Sequence, residues 1–108
     1  MADDDVILER EYSSDGRPVL CRFYRPRCDG QDFSCRYEIE WPDLKRGREI
    51  WGVDAIQALL LAMQMAHADL TLRRERDGIE VNWLDGRALG LPTHDGQLDN
   101  RGTAASRD

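Results

Sequence analysis

The chain has 108 residues, of which 41% are hydrophobic and 33% charged, the size and composition of one soluble globular domain. Its formal net charge of −6 disfavours non-specific binding to nucleic acid or to an anionic membrane. The chain begins with acidic residues, and no apolar run approaches the roughly 20 residues that span a bilayer. The sequence therefore predicts a cytoplasmic protein with no signal peptide and no membrane association.

The first half of the chain predicts antiparallel strands. Residues 6–12 and 18–25 form two of them, and Asp15-Gly16 between them is a strong hairpin signal. A third strand at residues 33–41 alternates apolar and polar side chains with period two, which indicates a sheet with one buried and one wet face. The side chains expected in the core are Val6, Leu8, Tyr12, Val19, Cys21, Phe23, Phe33, Cys35, Tyr37, Ile39 and Trp41.

Pro and Gly signals between these strands predict connections. Residues 25–31 contain Pro26 and Asp29-Gly30, so they are expected to form a turn. Residues 45–51 predict a weaker fourth strand, in which Arg46-Gly47 is an alternative turn.

A single long helix is predicted from Asp54 to about Leu70, with an extension to Arg74 left open. Asp54 and Gln57 form a capping pair at its start, and the residues that follow are strong helix formers. The face expected to pack on the sheet comprises Ala55, Ile56, Leu59, Leu60, Met63, Ala66 and Leu70.

The remaining elements complete a two-layer α+β domain. A last strand is predicted at residues 79–84, with Ile79, Val81 and Trp83 facing inward. The predicted fold is an antiparallel sheet of four to five strands with one helix packed on one face. Three segments are expected: a disordered acidic N-terminus (1–5), a single domain (6–92) and a disordered polar tail (93–108).

Several short motifs resemble a family of small bacterial domains of unknown function. They are G-V-D-x-x-Q-A-L-x-L-A at residues 52–62, C-x-Y-x-I at 35–39, W-L at 83–84 and L-G-L-P at 89–92. The resemblance covers roughly residues 18–92. It implies a compact sheet-and-helix domain from bacteria, and it supplies no reaction, ligand or catalytic residue.

The outer side of the helix carries a candidate protein interface. Leu61 and Met65 are one turn apart there, beside the small side chains of Ala58 and Ala62. A contiguous exposed apolar stripe marks an interaction surface. The alternative is that another part of the chain covers these side chains within the monomer.

A candidate basic surface is formed by Arg22, Arg25, Arg27 and Arg36. The segment 17–36 carries five arginines against Asp29 and Asp32, a local balance of +3. With Tyr24, these arginines are suited to stacking and binding single-stranded nucleic acid. The alternative is a salt-bridged outer sheet face, because Glu38 and Glu40 continue that face and can pair with the arginines across strands.

The remaining candidates for chemistry are few. Cys28 lies in a predicted turn just after Arg25 and Arg27, whose charge favours a reactive thiolate; a tolerated loop cysteine is the alternative. Cys21 and Cys35 are expected to be small core side chains, and His67 a partly buried, hydrogen-bonded one. Neither the cysteine spacing nor the histidines fit a metal site, and no cofactor is predicted.

These observations favour a non-enzymatic module that acts by protein–protein contact, with a homodimer as one option. An immunity or inhibitor protein is a specific version, because an acidic surface steers association with basic partners. The alternative is a nucleic-acid-binding accessory domain that uses the candidate basic surface.

Overall fold

The structure is a computed structural model that describes residues 5–100. Residues 1–4 and 101–108, which the sequence assigns to disordered ends, lie outside the described residues. Five strands precede one helix. They are β1 (Val6–Ser14), β2 (Arg17–Tyr24), β3 (Arg27–Asp29), β4 (Asp32–Glu40), β5 (Lys45–Gly52) and α1 (Ala55–Asp77).

β1 and β2 form the predicted hairpin. Asp15 and Gly16 both have positive φ, 51° and 80°, as a two-residue type I′ turn requires. Ser14 pairs directly with Arg17, so the register is fixed from the turn onward. The Asp-Gly signal is therefore confirmed.

β4 is the central strand of an antiparallel sheet. β2 and β3 lie along one side of it, and β5 pairs with its other side over the full length. The predicted turn at residues 25–31 is wrong in part, because β3 occupies its middle. Pro26 has no N–H and interrupts the ladder, but the chain still lies beside β4 and pairs again from Arg27 onward.

The core lies between one face of this sheet and α1. Seven of the predicted core residues of β2, β4 and the residue after it are buried as expected: Val19, Cys21, Phe23, Cys35, Tyr37, Ile39 and Trp41. Tyr12 is buried too, but Leu8 is 45% exposed and Val6 and Phe33 are only half-buried. A register shift between Val6 and Leu8 takes the start of β1 out of the regular ladder.

α1 begins with the predicted cap and runs further than expected. The Asp54 side chain accepts from the Gln57 amide at 2.8 Å, and the Gln57 side chain accepts from the Val53 amide at 2.8 Å. The helix ends at Asp77, where Gly78 adopts a left-handed cap with φ 68°.

The buried stripe of α1 differs from the predicted apolar face. It consists of Ala58, Ala62, Ala66 and Leu70, whereas Ile56 is 79% and Leu60 42% exposed. The small alanine side chains let the helix backbone lie close to the sheet, which a stripe of Ile and Leu would prevent. The helix is therefore rotated so that its bulkiest residues flank the contact or face away from it.

By length and composition alone, α1 is apolar enough to cross a membrane, with a hydropathy of 1.2. The expectation that no apolar run reaches that length is corrected accordingly. Its alanine stripe packs against β4 and β5, the arrangement of a core helix in a globular domain.

The segment after α1 folds over the β1 side of the sheet without forming the predicted strand at residues 79–84. Asn82 exchanges two backbone hydrogen bonds with Ser13 at the edge of β1, and Trp83 exchanges two with Gly86 across a turn. Leu84 and Asp85 have positive φ and turn the chain, so it cannot stay extended. Val81, Leu89 and Leu91 from this segment nevertheless join the core.

Residues 93–100 differ from the expected disordered tail. They double back in a turn, and Asp99 exchanges backbone hydrogen bonds with Gly90 and Leu91. Gln97 likewise accepts from the Thr93 amide at 2.7 Å. The order comes from these backbone bonds, which a polar composition does not reveal.

Candidate functional site

The predicted interface on α1 is wrong for two of its four residues. Ala58 and Ala62 are fully buried against the sheet and cannot contact a partner. Leu61 and Met65 are half-buried, and Met65 packs against the core cluster. The side chains predicted to face solvent are therefore largely buried within the monomer.

Apart from Leu72 near its other end, the exposed large apolar side chains of α1 lie at its N-terminal end. Val53 is 69%, Ile56 79% and Leu60 42% exposed. Ile56 and Leu60 are four residues apart and share one side of the helix, and Val53 precedes its cap. We call Val53, Ile56 and Leu60 the N-terminal apolar patch. Trp51, two residues earlier, lies on the face of the sheet that points away from α1, which we call the open face, and is also 48% exposed.

The open face of the sheet carries the predicted salt bridges. Arg22 contacts Glu9 at 2.9 Å, Glu40 at 3.0 Å and Glu38 at 3.4 Å. Arg36 and Lys45 also approach Glu38, at 3.7 and 3.9 Å. The Arg22 guanidinium is thus surrounded by carboxylates, and it has little positive charge to offer a nucleic-acid phosphate.

The other three arginines of the candidate basic surface do come together. Arg25, Arg27 and Arg36 line a pocket of about 180 Å³ with Tyr24, on the open face beside β3, and the carboxylates of Asp5 and Glu49 line the same pocket. Arg36 lies over the Tyr24 ring at 5.6 Å, and Arg27 pairs with Asp5. Burial, and then the hydrogen bond that its hydroxyl donates to Glu38, raises the pKa of Tyr24.

Cys28 is exposed, and its thiol lies 3.4 Å from the Gly30 carbonyl. In β3, Arg27 pairs with Ser34 on the open face, so the adjacent Cys28 points to the opposite face with Phe33. The positive charge of Arg27, which was expected to activate the Cys28 thiol, therefore lies on the opposite face of the sheet from that thiol. The other two cysteines are core thiols as predicted: burial raises the pKa of Cys21 to about 12 and that of Cys35 to about 11.

His67 is a half-buried, hydrogen-bonded side chain, as predicted. Its Nε2 lies 2.9 Å from the Asp99 carboxylate, whose same oxygen accepts from the Leu89 amide at 3.0 Å. An open groove of about 470 Å³ runs beside this pair, between α1 and residues 93–97. The Thr71 hydroxyl donates to backbone carbonyls rather than to the imidazole, so within residues 5–100 no hydroxyl nucleophile is hydrogen-bonded to His67. The pair fastens the last described segment to the helix.

A second group of arginines was missed from the sequence. Arg46 on β5 meets Arg73 and Arg76 near the end of α1, around a pocket of about 80 Å³. The runs K-R-G-R at residues 45–48 and R-R-E-R at 73–76 were the available signal. Each run taken alone is an ordinary charged stretch, and only the packing of α1 along β5 brings them together. Over residues 5–100, no group of three or more His, Cys, Asp or Glu side chains is arranged to hold a metal ion.

The comparisons with known proteins identify one family. No curated protein matches the chain, and no solved structure does. One family profile covers residues 7–93, which is most of the chain and nearly the whole described domain. The chain therefore belongs to DUF6968, a family described as a domain of unknown function.

Proposed function

We propose that this domain is a non-enzymatic, cytoplasmic interaction module that docks a protein partner through the N-terminal apolar patch. The observation that carries the proposal is the exposure of Ile56, at 79%, on a helix whose alanines fill the core contact. Alanine would serve as well at a solvent-facing helix position, so a β-branched apolar side chain there is better suited to burial in a complex.

Burial of the patch would supply the central apolar contact of an interface. Fully burying an Ile, Leu or Val side chain contributes about 1.5–3 kcal/mol each. Trp51 is half exposed on the other face of the edge strand β5, so a partner that also covers this edge would bury it, and Trp is among the residues that most often dominate binding energy. Asp54 is the one charged residue in the sequence from Trp51 to Leu60, and its side chain is engaged as the helix cap.

A specific form of this proposal is an immunity or inhibitor protein. The net charge of −6 supports it, since an acidic surface speeds encounter with a basic partner before the apolar patch engages. A second copy of the chain is the other form, in which two patches pack together.

Photo-crosslinking in the cell of origin tests the proposal. A crosslinking amino acid at position 56 should capture a discrete partner, and the same amino acid at the exposed Glu75 should not. The double substitution Ile56→Glu and Leu60→Glu should abolish partner binding, measured by crosslinking from Val53. The matched control Gln64→Glu with Ala68→Glu adds the same charge to the same helix and should retain binding. Equal capture from positions 56 and 75 would refute the proposal.

Sedimentation of the purified protein separates the two forms. A homodimer that becomes monomeric only in the Ile56→Glu, Leu60→Glu variant supports self-association through the patch. A monomer at every concentration, together with capture of a different protein, supports a heterologous partner.

The second candidate function is nucleic-acid binding, which the pocket formed by Arg25, Arg27, Arg36 and Tyr24 favours. Arg25 is exposed, and it forms no ion pair with any described residue. Filter binding of single-stranded DNA at low salt tests it: retention that is lost in Arg25→Gln supports this function, and no retention excludes it.

A further inference from the structure

The pocket between the start of β5 and the last turns of α1 is a cationic site with an apolar wall. Its cations are Arg46, Arg73 and Arg76, and the carboxylates of Asp69 and Asp77 line it as well. The wall is formed by Ile39 and Trp41, which are buried, and by Leu72, which is 43% exposed. At about 80 Å³ the pocket has room for one small acidic group.

Arg73 is the fixed part of this site. Its guanidinium contacts Asp43 at 3.3 Å and Asp77 at 2.9 Å, and it lies over the Trp41 ring at 4.6 Å. Only 13% of its side chain is exposed. Arg73 therefore builds the wall of the pocket, and its charge is already matched.

Arg46 and Arg76 are the available part of the site. Both are exposed, and neither forms an ion pair or hydrogen bond with another described side chain. Asp69, which also lines the pocket, accepts from the Tyr37 hydroxyl and lies 3.8 Å from Arg48. An incoming carboxylate would therefore meet two unmatched guanidinium groups, which favour planar, two-pronged contact.

The pocket adjoins an open sheet edge. Within residues 5–100, β5 pairs with β4 alone, so its second edge presents unpaired backbone donors and acceptors. That edge carries Lys45, Arg46 and Arg48, in a chain whose net charge is −6. An extended peptide can add to such an edge as a further strand and place alternate side chains beside the helix.

We propose that this pocket binds the carboxylate of an acidic side chain in an extended peptide segment of a protein partner, with the peptide backbone paired to the free edge of β5. Charge complementarity with Arg46, Arg76 and their neighbours on β5 sets the acidic character of the peptide. The carbon chain of a glutamate would lie against Leu72, the exposed part of the wall. This site lies at the opposite end of α1 from the N-terminal apolar patch. The proposal for this site therefore does not depend on the proposal for that patch.

Fluorescence anisotropy with labelled peptides tests the proposal at low ionic strength. A Thr-Glu repeat peptide combines negative charge with strand propensity and should bind. A Thr-Lys repeat should not bind, and a Pro-Glu repeat of equal charge should bind more weakly, because Pro lacks the amide needed for strand addition. Equal affinity for the Pro-Glu and Thr-Glu repeats would overturn the strand-pairing part of the proposal.

Paired variants locate the site. Arg46→Gln with Arg76→Gln should weaken binding of the Thr-Glu peptide by about tenfold or more, the loss expected when charge-assisted hydrogen bonds are removed. The control Arg17→Gln with Arg87→Gln removes the same charge from exposed positions elsewhere and should bind within about twofold of wild type. Equal losses in both variants would show non-specific charge attraction and overturn the proposal.

Amide NMR shifts provide a readout that does not depend on affinity. Addition of the Thr-Glu peptide should shift the amides of residues 45–52 and 69–77, whereas inorganic phosphate should shift those of residues 69–77 and of Arg46 but not those of residues 49–52. Shifts confined to β1, or stronger binding of a single-stranded oligonucleotide at residues 45–52 and 69–77, would overturn the assignment to an acidic peptide.

Discussion

Gly52 faces the first turn of α1 at such close range that a Cβ on this residue would lie 2.6 Å from the Ala58 nitrogen and 3.0 Å from its Cα. The neighbouring atoms are backbone atoms of the helix, which cannot rotate away as a side chain can. This contact joins the end of β5 to the alanine stripe of α1, and it sets how closely the helix approaches the sheet.

Gly52→Ala should destabilise the domain by about 1–3 kcal/mol, because the added methyl group forces the helix away from β5. Urea unfolding followed by circular dichroism measures the loss. Gly86→Ala is the matched control, since its Cβ would meet only the Trp83 carbonyl at 3.8 Å, an ordinary contact. Similar losses at both glycines would show that backbone freedom, rather than close packing, is responsible.

The buried thiols predict a decline of stability at alkaline pH. A cysteine in the unfolded chain titrates near about pH 8.5, whereas burial raises the pKa of Cys21 to about 12 and of Cys35 to about 11. The unfolded state thus releases both protons at lower pH than the folded state. The stability is complete below about pH 8.5 and falls as the pH rises toward the folded pKa values, by about 1.4 kcal/mol per pH unit for each thiol.

Urea unfolding in reductant between about pH 7 and 10 checks this decline. Cys21→Ala should lower the stability at neutral pH, because it leaves a cavity, and should make the decline above about pH 8.5 shallower. Cys28→Ala should leave the decline unchanged, since Cys28 is exposed. A slope that Cys21→Ala does not alter would assign the decline to other groups.

Strands β1, β2, β4 and β5 and the helix cap could be predicted because their signals are local, whereas the strand predicted at residues 79–84 does not form. The alternation that ends at Trp41, the Asp15-Gly16 turn and the Asp54–Gln57 cap each depend on a few neighbouring residues, and each has the expected geometry. The short strand β3 was missed, because Pro26 marks an interruption and the sequence does not show that pairing resumes after it.

The face of α1 could not be predicted, because hydrophobicity alone ranks Ile56 and Leu60 above Ala58 and Ala62. Which face of α1 packs on the sheet depends on how near the helix lies to the sheet, and the contact between Gly52 and the first turn of the helix controls that distance. The contacts at the candidate sites could not be predicted either, because they join residues that are far apart in the sequence. The partner of His67 is 32 residues away, and the two arginine runs around the cationic pocket belong to different elements.

Native-state labelling should distinguish the three cysteines. Iodoacetamide should modify one thiol per chain, at Cys28, because Cys21 and Cys35 are buried. Mass spectrometry of the intact protein and of its peptides measures the extent and the position. Cys28→Ser should take up no label until denaturant is added. Two or three labels on the folded wild-type chain would show that the sheet opens more readily than its packing implies.

The Asp99 carboxylate holds residues 93–100 against the domain, since one oxygen contacts both the His67 imidazole and the Leu89 amide. Asp99→Ala should destabilise the fold by about 1–3 kcal/mol, because it leaves the half-buried Leu89 N–H and the imidazole without their acceptor. Hydrogen exchange at the Leu89 amide should also be faster in Asp99→Ala than in the wild-type protein. Asp95→Ala is the control: among the described residues its carboxylate accepts from Thr93 and Gln97 alone, at the exposed tip of the same turn, so the stability of this variant should stay within about 0.5 kcal/mol of wild type. If Asp99→Ala also matches wild type in both measurements, the contact of residues 93–100 with α1 does not stabilise the domain. The order of this segment would then come from its backbone bonds to Gly90 and Leu91 alone.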